Sequence, residues 1–196
     1  MGGLDGVINA AGILAETGIA DTTAEVFSRT VAVNLTGTFL VIQAAAPLIQ
    51  KAGRGTIVNI ASGVGLMPTG PGSVAYVASK GGVIALTRSV ASYYARYDIR
   101  CNTLAVGFVD TGEERIRELL ENPEYADRIR NHHMGIVGKP NHVAPAAVFM
   151  LSDEAEYISG AILPVDGGAV AASHIAMTQH PDIPGIPRLR PHAPEY

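Results

Sequence analysis

Apolar runs of strand length alternate along this chain with longer segments of helical period. Gly6 to Asn9 makes a short strand candidate after the turn-like MGGLDG. The stretch DTTAEVFSRTVAVNLTGTFLVIQAAAPLIQKAG predicts a long helix from about Thr23, with Asp21 standing where an N-cap would. Phe27, Val31, Asn34 and Thr38 recur along it at helical spacing. GTIVNIAS (Gly55 to Ser62) is a β-branched strand that ends in small residues, and LMPTGPGS is a Gly/Pro loop. A second long helix is predicted from about Ser73 to Tyr97, followed by the strand IRCNTLAV. TGEERIRELLENPEYADRIRNHH is charged and helical, broken at Asn122-Pro123. Asn141 is placed to cap a helix that runs through Met150, and GAILPVDGG holds the last strand.

Strand, helix, strand, helix, strand, helices, strand is the order of a parallel α/β sheet with right-handed crossovers. The strands lack polar alternation, as expected where helices cover both faces. Residues 1–176 are therefore expected to form one α/β domain. Residues 177–196 contain five prolines and read as an extended tail without a core of its own.

Composition narrows the function classes. The chain has 196 residues with 16% charged, below the roughly one quarter usual in globular chains. Much of its surface is thus expected to be covered by itself or by partner subunits. A net charge of -4 without clustered Lys and Arg argues against nucleic-acid binding. The single cysteine, Cys101, excludes an intrachain disulfide and sits in a strand as a small buried hydrophobe. No basic region followed by an apolar one marks a secretory signal at Met1. TFLVIQAAAPLI, interrupted by Gln43 and Pro47, reads as too short to span a bilayer. A soluble, cytoplasmic protein is expected. His132, His133, His180 and His192 fit no metal-ligand spacing and read as solvated, so no metal site is expected.

The chemistry gathers around AYVASKGG. Tyr76 and Lys80, four apart, share one face of a helix. A phenol titrates near pH 10, and a neighbouring ammonium favours its ionised form. The spacing alone is also compatible with an ordinary surface helix. Ser62 ends a strand at the carboxyl edge, where open α/β sheets place ligands, though it would equally serve as a turn serine or a helix cap. Asn34 is a polar amide inside an apolar helix and needs hydrogen-bond partners, whether structural or functional.

Asn9-Ala10-Ala11-Gly12, Asn34, Ser62, Tyr76-Val77-Ala78-Ser79-Lys80, Val106-Gly107-Phe108-Val109-Asp110-Thr111 and Asp166-Gly167-Gly168 resemble, in order and spacing, the motifs of the short-chain dehydrogenase/reductase family. The resemblance runs from about Leu4 to Gly168. It implies a Rossmann-like doubly wound parallel sheet and an NAD- or NADP-dependent oxidoreductase that interconverts a secondary alcohol and a ketone. Tyr76 would exchange the proton, Lys80 would lower the tyrosine's pKa and hold the nicotinamide ribose, and Ser62 would hydrogen-bond the substrate oxygen. Asn34 would anchor a water linking Lys80 to solvent. Asn9, Ala10, Ala11 and Gly12 would pass the adenosine side of the cofactor, while Gly107, Val109 and Thr111 would meet the nicotinamide. The resemblance also implies a homotetramer or dimer, with the helices carrying Asn34 and Tyr76 packed between subunits.

The pattern departs from the family in two places. Val106-Gly107 replaces the usual Pro-Gly, which restores a backbone donor and is expected to loosen the turn. Gly3 and Gly6 precede their strand, whereas a phosphate-binding turn follows a strand and opens a helix. The chain thus matches strands 4 to 7 of the family's sheet, N-terminally truncated. It is expected to belong to a longer product, or to fold with a partner, and to bind cofactor poorly alone. A catalytically silent binding or scaffolding subunit is the alternative, against which the complete set Asn34, Ser62, Tyr76 and Lys80 argues. The segment from Gly112 to Lys139 corresponds to the family's variable lid. Its Arg115, Arg117, Arg128 and Arg130 alternate with glutamates as on a solvated helix face, and Met67 and Met134 are expected in core packing.

Overall fold

A computed structural model describes residues 3–68, 73–123 and 136–171. His132, His133, His180, His192, Arg128, Arg130, Met134 and the tail 177–196 lie outside the described residues, as does the end of the 1–176 domain.

Four strands form one parallel sheet in the order β1 (Gly6–Asn9), β2 (Gly55–Ser62), β3 (Ile99–Val106) and β4 (Ile162–Val165). Each crossover carries helix, as a parallel pair requires. Helices α1 (Ala24–Val31) and α2 (Gly37–Ala52) link β1 to β2, and α3 (Val74–Tyr94) links β2 to β3. Then α4 (Glu114–Glu121) and α5 (Pro140–Leu151) precede β4.

Both faces of the sheet are covered, which explains the unbroken apolar strands. Ile57, Ile99 and Cys101 pack on one face against Ile42, Ala45 and Ile49 of α2 and Val90 and Ala91 of α3. Val58 and Leu104 pack on the other face against Ala147 and Met150 of α5. Alternate residues of β2 and β3 thus enter opposite cores, and burying each large aliphatic there stabilises the fold by about 2 kcal/mol. The doubly wound α/β fold expected from the sequence is the fold observed.

Local details differ from expectation. The first helix is capped by Thr23, whose side chain accepts the Val26 N–H, and not by Asp21. Both residue types can cap; here the loop is turned back one residue earlier, where the Thr22 hydroxyl hydrogen-bonds the Gly18 carbonyl. Lys139, not Asn141, is the N-cap of α5, because Pro140 occupies the first helical position, where its missing N–H costs nothing. Gln43 and Pro47 do not interrupt α2. From Ala24 to Ala52 the chain is helical throughout, and by length and composition alone this 29-residue helix is long and apolar enough to cross a membrane. The expectation that it is too short therefore does not hold. Between α1 and α2 lies a π-helical turn, Ala32–Thr36, in which the Gly37 N–H reaches the Ala32 carbonyl. Phe27 is consequently off the buried face, which runs instead through Thr30, Asn34 and Thr38.

Candidate active site

The π-turn carries Asn34, whose side chain is buried and fully engaged. Its Oδ1 accepts the Ile13 N–H at 2.8 Å, and its Nδ2 donates to the Ile13 carbonyl at 2.9 Å and to Ser79 Oγ at 3.0 Å. Ser79 Oγ in turn donates to the Tyr76 carbonyl at 2.8 Å. One amide therefore ties the turn after β1 to the helix that carries Tyr76 and Lys80.

Helical spacing puts Tyr76 and Lys80 on one face of α3, and Lys80 Nζ lies 5.5 Å from the Tyr76 ring centroid. Lys80 Nζ donates to the Ile60 carbonyl of β2 at 2.8 Å. Burial leaves the ammonium short of water and pulls its pKa from 10.5 to about 8. Burial also raises the Tyr76 phenol above its ordinary value, opposed by the hydrogen bond with the Ser62 side chain. The net direction at Tyr76 is thus opposite to the lowering expected from a lysine neighbour. The lysine is itself desolvated, and its nearest hydrogen-bond partner is the Ile60 carbonyl, not the phenol.

Ser62 reaches Tyr76 because the 3-10 turn after it, Gly63–Gly65, lies directly on α3. A Cβ on Gly65 would stand 2.8 Å from the Lys80 carbonyl carbon and 2.9 Å from the Gly81 nitrogen, both backbone. Only glycine permits that approach. Gly12 makes a second close passage: a Cβ there would lie 3.3 Å from Asn34 Oδ1 and 3.5 Å from Lys80 Nζ.

Ser62, Tyr76, Lys80, Asn34 and Gly12 therefore converge at the carboxyl edge of the sheet, as the sequence suggested. Asn9 sits at the same edge, with Ala10 and Ala11 exposed beside it. Gly107 follows β3 and abuts Asp166, where an added Cβ would stand 2.7 Å from the Asp166 Cα. Strand β3 continues through Val106, paired with Val165, and the Gly107 N–H binds the Val165 carbonyl at 3.0 Å. The turn is thus tied to β4 on the Gly107 side. Val109 bridges to Gly138 and borders an apolar cavity of about 140 Å³ with Phe108, Ile136, Val143, Val165 and Asp166. Thr111 is exposed and gives its hydroxyl to Glu113 at 3.2 Å. Arg117 is exposed and Met67 half-buried. Among the described residues no cluster of His, Cys, Asp or Glu is suited to a metal ion.

Three contributors lay outside the sequence reading. Ser79 is a small residue inside the Tyr76–Lys80 segment and Gly65 falls between the strand ending at Ser62 and the loop from Leu66, and their only signal was size. The Ile60 carbonyl is backbone and carries no signal at all.

A family profile described as Enoyl-(Acyl carrier protein) reductase matches residues 1–170. The chain belongs to the short-chain dehydrogenase/reductase family. It is 37% identical over 174 residues to a Xanthobacter autotrophicus protein named inactive 2-(S)-hydroxypropyl-CoM dehydrogenase 2, covering 87% of this chain and 75% of that one. A crystal structure of an Agrobacterium tumefaciens putative 2-deoxy-D-gluconate 3-dehydrogenase with bound NADP superposes with a TM-score of 0.79 at 32% identity. That match covers 85% of this chain and 68% of the other. A 4-hydroxyisoleucine dehydrogenase mutant complexed with NADH and succinate gives the same TM-score of 0.79 at 32% identity, with coverage of 85% and 68%. The chain thus spans about two thirds of the length of these solved short-chain dehydrogenases. At the level of the family, the reaction class is NAD(P)-dependent dehydrogenation.

Proposed function

We propose that this chain supplies the proton-transfer half of an oxidoreductase that interconverts a secondary alcohol and a ketone with NAD or NADP. The observation that carries the reading is the meeting of Ser62, Tyr76 and Lys80 where Gly12 passes between Asn34 and Lys80. The backbone at Gly12 is bare of a side chain beside a cationic Nζ, which suits a phosphorylated, hydroxyl-rich cofactor. Gly12, Lys80 and Tyr76 would hold it, with Asn9 to Ala11 and Gly107, Val109 and Thr111 on either side. Bound there, the cofactor supplies or accepts the hydride.

The chain's own residues manage the oxygen. Burial keeps the Tyr76 phenol protonated at neutral pH, so it is poised to donate to a carbonyl oxygen in the reductive direction. The Ser62 hydroxyl offers a second hydrogen bond to that oxygen and steadies the charge that develops there. Lys80, still largely protonated at pH 7, favours the phenolate left behind. Asn34 fixes the distance between the turn at Gly12 and the helix of Tyr76.

Other expectations belong to the same proposal. A homotetramer or dimer is supported by the apolar side chains that the long helix leaves exposed, Phe39, Leu40, Val41 and Leu48. A soluble, cytoplasmic protein that takes a small alcohol or ketone, and neither nucleic acid nor membrane, accords with the net charge of -4 and the free buried thiol. The second reading, a catalytically silent relative, is favoured by one observation, the name "inactive" borne by the Xanthobacter relative.

The test follows NADH and NADPH oxidation by the natural full-length product against cyclic and aryl ketones, and the reverse reaction with the alcohols. Turnover that disappears in Tyr76→Phe while cofactor binding persists supports the enzyme. Undiminished turnover in Tyr76→Phe, or none in the parent protein with either cofactor, overturns it.

A further inference from the structure

Asn9 and Asn59 stand opposite one another in β1 and β2, and Asn9 Nδ2 donates to Asn59 Oδ1 at 2.8 Å. Asn59 is wholly buried in the core. Its own Nδ2 has two partners, Thr87 Oγ1 on α3 at 2.9 Å and Cys101 Sγ on β3 at 3.6 Å. Thr87 is equally buried, donates its hydroxyl to the Val83 carbonyl at 2.9 Å, and accepts from Thr103 Oγ1 at 2.6 Å.

These bonds have a direction. A hydroxyl carries one proton, and that of Thr87 is committed to its own helix at Val83. Towards Asn59, Thr87 therefore acts as acceptor, and Asn59 must present its NH2 group. The planar amide of Asn59 then has only its oxygen left for Asn9. Asn9 answers with NH2, which leaves its amide oxygen on the edge away from Asn59. The Thr87 hydroxyl inside the core, with the longer contact to Cys101 Sγ on the same side, thus fixes which way round the last side chain of β1 is held. Reversing the Asn59 amide alone would turn its NH2 towards that of Asn9 and its oxygen towards the Thr87 oxygen, whose proton is already given to Val83.

We propose that Thr87 is a positioning residue for the cofactor turn: through Asn59 its hydroxyl sets the polarity of the Asn9 amide at the entry to Asn9–Gly12, with that amide oxygen offered to the nucleotide. This rests on the reading that the turn lines an NAD(P) site. Thr87 itself touches no part of the proton-transfer cluster.

The test uses Thr87→Val, Thr87→Ser and Thr103→Val in the natural full-length protein. Thr103→Val removes a neighbouring donor and leaves the polarity of the Thr87–Asn59–Asn9 chain intact. Cofactor affinity is read by fluorescence titration, turnover by steady-state kinetics, and exchange of the Asn9 side-chain NH2 by 15N NMR. Thr87→Val should weaken NAD(P)H binding and raise its KM at least about tenfold with kcat at saturation within about twofold, the mark of lost uniform binding. Thr87→Ser should restore both, and Thr103→Val should leave both near the parent values. Unchanged affinity in folded Thr87→Val, failure of serine to rescue, or an equal loss in Thr103→Val overturns the proposal. If the parent binds neither cofactor, the reading of the turn fails, and the polarity is judged by NMR alone. The Asn9 NH2 should then be protected in the parent and in Thr87→Ser; rapid exchange in the parent refutes it even where Thr87→Val does not fold.

Discussion

Asn34 holds Ile13 by both of its backbone groups, accepting the N–H at 2.8 Å and donating to the carbonyl at 2.9 Å. A side-chain amide here does what a neighbouring strand would do for one residue. It fixes the segment after β1, which has no ladder of its own at that point.

Asn34→Ala should therefore destabilise the fold. It strands the two backbone groups of Ile13 and removes a buried donor from Ser79, which points to a loss of about 2–4 kcal/mol. Urea unfolding measures it, and a loss below about 1 kcal/mol would mean that water readily replaces the amide. Asn34→Asp keeps the acceptor and loses the donors, so it should not restore the parent value.

Lys80 makes stability depend on pH. The folded chain releases its proton at about 8 and the unfolded chain at 10.5. Between those values the unfolded chain binds a proton that the folded chain has lost, so unfolding becomes harder as pH rises through the window. Below about pH 8 the cost of a buried ammonium is fully present; above 10.5 it is gone. The span corresponds to about 3 kcal/mol. Urea midpoints of the parent and of Lys80→Met, compared at matched pH, separate this from the tyrosines. A parallel pair of curves would show that Lys80 titrates normally.

Two glycines should fail for different reasons. In Gly107→Ala the new methyl meets the Asp166 backbone at 2.7 Å, which cannot move aside as a side chain would. The expected cost is up to about 3 kcal/mol. Gly112 has open space around it but a φ of +81°, so Gly112→Ala should cost only about 1 kcal/mol of backbone strain. Thermal midpoints of the two variants rank them, and the reverse ranking would refute the packing argument.

Cys101 should be silent in the native protein. Burial drives its thiol up to about 12, so almost no thiolate exists at neutral pH. A thiol-specific chromogenic reagent should label it at the rate of unfolding and no faster. Rapid stoichiometric labelling of folded protein would contradict the buried position.

Much of this was legible in the sequence because it follows from period and residue size. The four strands, their parallel order and the shared face of Tyr76 and Lys80 need only spacing. The caps were missed because Asp21 and Thr23 have similar intrinsic merit, and the path of the loop decides between them. The clamp on Ile13 and the Ile60 carbonyl under Lys80 involve backbone groups, which every residue has and no sequence distinguishes. The direction of the Tyr76 shift was also hidden, since a neighbouring ammonium can be inferred from spacing but its desolvation cannot.

The π-turn at Ala32–Thr36 has a consequence for what this chain can tolerate. Thr30, Asn34, Thr38 and Ile42 all face inward at intervals of four. In a regular α-helix each interval of four overshoots a full turn by about 40°, so the row would wind away from the sheet. The widened turn absorbs that drift and keeps the two halves of the long helix in phase. Losing one residue from it would close an ordinary α turn in its place and give the drift of about 40° per four residues back to the row. Along this stretch the count of residues matters as well as their identity, and a deletion that spares Asn34 should still disturb the packing of α2 on the sheet.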